Sequence, residues 1–339
     1  MKGTINLIKK LTSIVGPSGY EDEIREVIKK EVKKLKIKHI EETPLGALIV
    51  KVGSGKKKIM LAGHMDEIGI LSTHIDKKGF IRFANIGGVS KYGLIGSRIK
   101  FVNGVSGLIS TEPIKKPEQF SFEKLYIDIG AKNKTAAAKL VPVGTFGVFD
   151  KECVVLGNRI ISKAMDDRIG CVVMLNVLKK VYNKKLPYQV YFVFTTQEEV
   201  GLRGAKTSAF KIDPDFGIAL DVTGTGDTPE GYKMAVNLGD GVAIKVKDRS
   251  LITHPKLKDV CVKLAEEKNI KYQLEILEWG GTDAGAIHLT RAGIPSTVFS
   301  IPTRYIHSQS EMIDMDDVKA TEALLEKIIT TKDLGNLKF

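Results

Sequence analysis

The stretch that most constrains this chain runs from Gln189 to Gly201, Gln-Val-Tyr-Phe-Val-Phe-Thr-Thr-Gln-Glu-Glu-Val-Gly. Val190 to Phe194 is a nearly unbroken apolar and β-branched run, the pattern of a strand buried on both faces. It ends in polar residues and two adjacent carboxylates, Glu198 and Glu199. In open α/β sheets, chemistry collects just beyond the carboxyl ends of the strands. Neighbours on extended backbone point to different sides, so the two acids suit different tasks, one holding a metal and the other handling a proton. A solvated acidic turn would carry the same letters, so the reading depends on what else gathers there.

A chain of 339 residues exceeds what one core usually holds, which favours two lobes. Its 43% hydrophobic and 27% charged content is that of a soluble globular protein, and no run approaches the roughly 20 apolar residues of a membrane span. Met1 to Val15, with Lys2, Lys9 and Lys10, reads as an amphipathic helix and not a signal peptide, so the cytoplasm is the expected location. Cys153, Cys171 and Cys261 are far apart and read as free thiols of a reducing compartment. The net charge of +12 invites a nucleic-acid reading. Its lysines, however, cluster at 29–38, interleaved with Glu26 and Glu31, and at 56–58, with no aromatic residues between to stack on bases.

Taken in order, the pattern predicts a first helix over 4–15, a Gly-Pro-Ser-Gly break, and a second helix opened by a Ser18–Glu21 capping box. Strands are expected at Ala47 to Val52 and Lys58 to Leu61, the second leading into Ala-Gly-His64-Met-Asp66-Glu67. From about 69 to 159 the texture changes to short β-rich runs, read as a small β-barrel or sandwich inserted in the first domain. The expected division is therefore a catalytic part over 1–68, an inserted β-rich domain over 69–159, and the rest of the catalytic domain over 160–339. In that last part helices are expected from Ile169, at Ala205 to Phe210, from Pro255, and at Met315 to Thr330. Strands are expected at Phe216 to Asp221, Val242 to Val246, Tyr272 to Leu277 and Thr297 to Ile301.

The strand-end residues His64, Asp66, Asp166, Glu198, Glu199, Asp221 and His307 then form one set. Two histidines with several carboxylates suit zinc, cobalt or manganese better than calcium or magnesium, which prefer oxygen alone. His39, His74, His254 and His288 lack such context and read as ordinary structural histidines.

Seven stretches carry a resemblance: Gly-Pro-Ser-Gly-Tyr-Glu at 16–21, Gly-His-Met-Asp-Glu-Ile-Gly at 63–69, Lys-Ala-Met-Asp-Asp-Arg at 163–168, Thr-Gln-Glu-Glu-Val-Gly at 196–201, Leu-Asp at 220–221, Gly-Gly-Thr-Asp-Ala at 280–284, and Pro-Thr-Arg-Tyr-Ile-His-Ser at 302–308. In this order they resemble the tetrahedral, dinuclear-metal aminopeptidases, a family that includes glutamyl and deblocking aminopeptidases and proteins once labelled cellulase M. The resemblance implies an α/β catalytic domain of zinc-peptidase type, a mixed sheet flanked by helices, with the inserted β-barrel serving dimerisation. Dimers would assemble into a tetrahedral dodecamer, and short peptides would be the substrates. It implies two divalent ions, zinc or cobalt, bridged by Asp166, with His64 and Asp221 on one and Glu199 and His307 on the other. Glu198 would be the general base, and Asp66 would fix the orientation and basicity of the His64 ring. Asp166 is preferred over Asp167 as the bridge; Asp167 would otherwise pair with Arg168 or cap the following helix. Gly280 to Asp283 is expected either to shape the substrate pocket or to form a helix start capped by Thr282. Neutral aliphatic, leucyl-type first residues are the expected preference, with acidic or basic ones as the alternative. An endoglucanase reading, suggested by the cellulase label, is disfavoured because the adjacent Glu198 and Glu199 cannot readily flank a sugar, and it also leaves His64 and His307 without a task.

Overall fold

The computed structural model describes residues 2–337, so Met1 of the expected first part and the last two residues of the third lie outside the described residues. At its centre, four strands run parallel: Gln189–Thr195 beside Lys58–His64, then Phe216–Thr223, then Ser296–Arg304. Thr195 lies level with His64, and Asp221 level with Ser300, so one edge of the sheet collects the carboxyl ends of all four. The apolar runs are needed because the sheet is covered twice. Alternate residues such as Leu61, Phe192 and Ile218 face the helices Met165–Val181, Met315–Thr330 and Lys2–Thr12. Their neighbours Met60, Ala62 and Val193 meet Ala205 and Ala209 of Arg203–Ile212 and Ile287 of Asp283–His288.

Further strands, all but one joined by antiparallel pairing, extend the sheet to eleven among the described residues. Leu48–Val52 and His39–Glu42 form one margin, and Glu311–Asp314, Arg159–Ser162 and Val154–Leu156 the other. Val242–Lys247 pairs with Ser296–Arg304 and carries Tyr272–Ile276 beside it. The β-rich middle of the chain is a closed six-stranded barrel, in spatial order Gly69–Ile75, Ile81–Ile86, Leu125–Asp128, Ser106–Thr111, Arg98–Phe101 and Phe146–Phe149. It has its own core, with Ile70, Ile81, Ile99, Phe101 and Ile127 fully buried. One helix not expected there, Lys134–Leu140, is capped by Asn133, whose side chain accepts from Ala136 N. No helix among the described residues is long and apolar enough to cross a membrane. The three cysteines are free thiols.

The expected capping box does not form. Helix Asp22–Lys33 follows Glu21 without any side-chain cap. Ser18 Oγ instead donates to Asp66 Oδ2 at 2.7 Å, and Glu21 Oε1 accepts from Gly19 N and Gln197 N. A buried carboxylate with unmet acceptor capacity outcompetes the local amide that the spacing suggested.

Behind the sheet's carboxyl edge lies a second, structural knot of charge. Glu67, Lys163 and Arg168 are 1%, 3% and 0% exposed. Lys163 Nζ lies 2.6 Å from Glu67 Oε2, and Arg168 donates to Glu67 and to the carbonyls of Leu11 and Gly16. Gly16 N donates to Glu67 as well. One carboxylate therefore joins the first interhelix linker, the residue after Asp66, and both flanks of Asp166-Asp167. Glu67→Ala leaves two buried cations unpaired and is expected to cost about 3–5 kcal/mol in reversible denaturation; a loss below about 1 kcal/mol would show that the knot does not hold these segments.

Candidate metal centre

Each strand-end side chain reaches the site by a different local device. His64 closes its own strand, and its Nδ1 faces the Asp66 carbonyl oxygen at 3.0 Å, with Asp66 Oδ1 at 3.6 Å. The expected support of the ring by Asp66 thus comes mainly from its backbone. The Asp66 carboxylate is turned to the Glu-Glu turn, accepting from Glu198 N at 3.1 Å and Glu199 N at 3.2 Å. Asp166 and Asp167, joined by a cis peptide bond, have non-helical dihedrals at the head of Met165–Val181. Asp167 Oδ1 accepts from Gly170 N, and its Oδ2 accepts from His64 N. Of the two alternatives for Asp167, the helix cap is realised; the Arg168 pairing is not, because Arg168 is engaged by Glu67. His307 stands at φ +59 in the loop after Ser296–Arg304.

The seven expected residues converge. Asp166 lies between the two imidazoles, Oδ1 3.0 Å from His64 Nε2 and Oδ2 3.2 Å from His307 Nε2. Glu199 Oε1 is 3.4 Å from His307 Nε2, and Glu198 Oε2 is 4.0 Å from His64 Nε2. Two donor groups have ligand atoms within 4.8 Å of one another: His64, Asp166 and Glu199, and His64, Asp167 and Asp221. Asp167 in the second group was expected only as an alternative to Asp166. Both its oxygens already accept backbone amides, whereas the Asp166 carboxylate lies against both histidines.

The electrostatics of the cluster suit a cation. Burial, with repulsion from neighbouring carboxylates, pushes Asp221, Glu198, Glu199 and Glu311 above the ordinary carboxylate range. Burial acts the same way on Asp166, but the flanking His307 and His64 rings outweigh it and hold that carboxyl low. His307 would lose basicity through burial, yet its carboxylate partners push it up to about 12. Glu199 Oε1 is buried without a hydrogen bond. A desolvated anionic cluster with an orphaned carboxylate oxygen and two imidazoles is the donor set a divalent cation fits.

Three supports were not expected. Glu311, 1% exposed, accepts from Asp166 N at 3.0 Å and His307 N at 2.9 Å, fixing the backbone of both. Its only signal is an acid four residues past His307 at the start of a short strand. Asp283 accepts from Thr195 Oγ1 behind the Glu-Glu strand. The barrel contributes Gly87 and Gly88: a Cβ on Gly88 would lie 2.4 Å from His307 Nδ1, and one on Gly87 2.7 Å from Glu199 Oε2. The group opens into a cavity of about 710 Å³, lined also by Val222, Met234, Leu277 and Trp279. Gly280 and Gly281 line it too, while Thr282 makes no capping bond, so of the two expectations for that loop the pocket is realised. Gly88→Ala is expected to displace the His307 ring, read as a shift of its imidazole resonances by NMR; unchanged resonances would mean that the barrel loop does not fix the ring.

Comparison with known proteins places this geometry. A sequence profile of the M42 glutamyl aminopeptidase family matches residues 46–324. An inferred aminopeptidase of Acetivibrio thermocellus is 52% identical over 96% of this chain and 98% of its own length. The solved structure of an aminopeptidase from the archaeon Desulfurococcus kamchatkensis is 40% identical, covers 97% of this chain and 95% of its own, and superposes with a TM-score of 0.92. A TET peptidase of Pyrococcus horikoshii, described as assembling into a tetrahedron or a large octahedral shell, is 34% identical, with a TM-score of 0.86 over 96% of this chain and 99% of its own. The profile and the near-full-length relatives agree, and the chain belongs to the M42 family of aminopeptidases, a class of hydrolases.

Proposed function

We propose that the protein is a metal-dependent aminopeptidase in which Asp166 would be the carboxylate shared by two divalent ions, zinc or cobalt. The observation that carries this reading is the position of Asp166 between His64 Nε2 and His307 Nε2, at 3.0 and 3.2 Å. Asp221 would join His64 in holding one ion, and Glu199 would join His307 in holding the other. The chemistry that bound ions supply is polarisation of the scissile carbonyl and acidification of a water. Glu198 would serve as the general base, accepting a proton from the attacking water and handing it to the leaving amine. Its backbone is tied to Asp66, so the carboxyl is held at the cavity wall near His64. The surrounding acids hold the free α-ammonium of the substrate, which restricts cleavage to the first residue.

Apart from the acids and His307, the cavity is lined by apolar side chains together with threonines, tyrosines and Arg304. Val222, Met234, Leu277 and Trp279 offer no charge to a first side chain, and Arg304 is engaged by Asp227 at 2.6 Å. That supports a neutral, leucyl-type preference over an acidic or basic one. The endoglucanase alternative would need two carboxyl groups facing each other across a sugar. Here the acids surround paired imidazoles instead, which supports peptide over glycan. As in the Pyrococcus horikoshii peptidase, assembly into a homo-oligomeric shell is proposed, with the domain expected over 69–159, whose barrel strands span 69–149, as the dimerisation domain between the two parts of the catalytic domain.

Two outcomes test this. Release of the first residue from a leucyl peptide, abolished by chelation and restored by cobalt or zinc, is expected for the free amine and not for its N-acetylated twin; equal cleavage of both would contradict the exopeptidase reading. Glu198→Gln is expected to lower kcat by about 10²–10⁴-fold with bound metal unchanged. A kcat within about threefold of the parent would remove Glu198 as the base.

A further inference from the structure

The turn that presents Glu198 and Glu199 is held in an unusual way. Gln197 sits in the left-handed region at φ +55, and the next amides point back into the protein. Three successive N–H groups, those of Gln197, Glu198 and Glu199, each donate to a carboxylate. Asp66 takes the last two, and Glu21 Oε1 takes the first at 3.0 Å. The same oxygen of Glu21 accepts from Gly19 N at 2.8 Å. Glu21 is 4% exposed, although it lies in the linker between the first two helices, where an acid would ordinarily face water. The carbonyl side of the turn is satisfied locally, by Arg203 N on Gln197 O and by Gly201 N and Leu202 N on Glu198 O. Its donor side depends on these two acids.

We propose that Glu21 is a positioning residue of the catalytic turn: by holding Gln197 N–H in the left-handed conformation, it aims Glu198 into the cavity. The inference rests on the reading of Glu198 as general base. Glu21 touches neither substrate nor any metal-ligating side chain described above. It acts through one backbone bond, at the residue whose dihedrals set the direction of the next Cα–Cβ vector. Asp66 alone fixes the amides of Glu198 and Glu199 but leaves the left-handed residue before them without a partner for its N–H. A residue other than glycine holds such a conformation only when the surroundings over-determine it. Ser18, through its bond to Asp66, joins the same scaffold from the same linker. The Gly-Pro-Ser-Gly-Tyr-Glu stretch thus acts as an arm that reaches from the first helix pair to the base, and Tyr20 steadies it against Phe146 of the barrel with ring centroids 4.6 Å apart.

The test compares Glu21→Ala with Glu21→Gln, whose amide oxygen accepts the same two N–H groups. In metal-free protein, Glu21→Ala is expected to speed hydrogen exchange of the 197–199 amides by about tenfold or more, while strand 189–195 keeps its protection. In loaded enzyme it is expected to lower kcat on the leucyl peptide by about tenfold or more with KM within about twofold. Glu21→Gln is expected to match the parent in both. Unchanged exchange and kcat in Glu21→Ala, or a Glu21→Gln as impaired as Glu21→Ala, would overturn the proposal. If Glu21→Ala does not fold, Glu21→Asp, whose shorter stem withdraws the acceptor, is read by the same two measurements. A parent enzyme that cleaves no peptide would remove the functional reading, while exchange at 197–199 would still decide the clamp.

Discussion

The structure depends on keeping several carboxylates out of water at one edge of a sheet. Asp66, Asp166, Asp167, Asp221 and Glu311 are all at most 7% exposed, and the His64 and His307 imidazoles lie against Asp166 in their midst. Such a cluster is stable only if each acid is paired, hydrogen-bonded or bound to a cation. The fold provides the first two remedies generously. Asp66 accepts three donors, Asp167 two and Glu311 two, and six of these seven are backbone amides, mostly of the residues that form the site. The hydrogen bonds that lower the cost of burial are therefore the same ones that set the site's geometry. What remains unmet, the orphaned oxygen of Glu199 and the upward-shifted Asp221 and Glu198, faces the cavity where cations and substrate would come.

The second consequence concerns how far the site's support extends. Glu67 ties the first linker to both flanks of Asp166-Asp167, and Glu21 ties it to the Glu-Glu turn. The barrel presses two glycines against His307 and Glu199. Segments far apart in sequence thus converge on one set of atoms. Small residues at 87 and 88 are required by contact distance, because a methyl on Gly88 would lie inside the van der Waals radius of the imidazole.

The centre of the sheet was legible in the sequence because strands covered on both faces need continuous apolar runs. Val190 to Phe194 and Phe216 to Asp221 lie within observed strands, and Met315–Thr330 is the helix its periodicity predicts. Short marginal strands such as Val154–Leu156 and Glu311–Asp314 carry too few residues to show a period. The strand-end acids and histidines were legible as a set, since each ends an apolar run or opens a helix beside one. Their partners were not. Ser18 and Glu21 have the spacing of a local cap, and only the tertiary approach of Asp66 and Gln197 turns them inward. Glu311 is an isolated acid in a polar loop until the chain folds it against Asp166 N and His307 N. Backbone-directed support of this kind leaves no pattern in side-chain spacing.

The central claim is that Asp166 is shared between two cation sites. It is tested most directly by calorimetric titration of zinc into metal-free parent protein and into Asp166→Asn, each first shown to be folded. The account predicts two ions per chain for the parent and loss of high-affinity binding at both sites in the variant, because a neutral amide cannot serve two cations as a bridging carboxylate does. A parent that binds one ion, or an Asp166→Asn that still binds two with parental affinity, would contradict it.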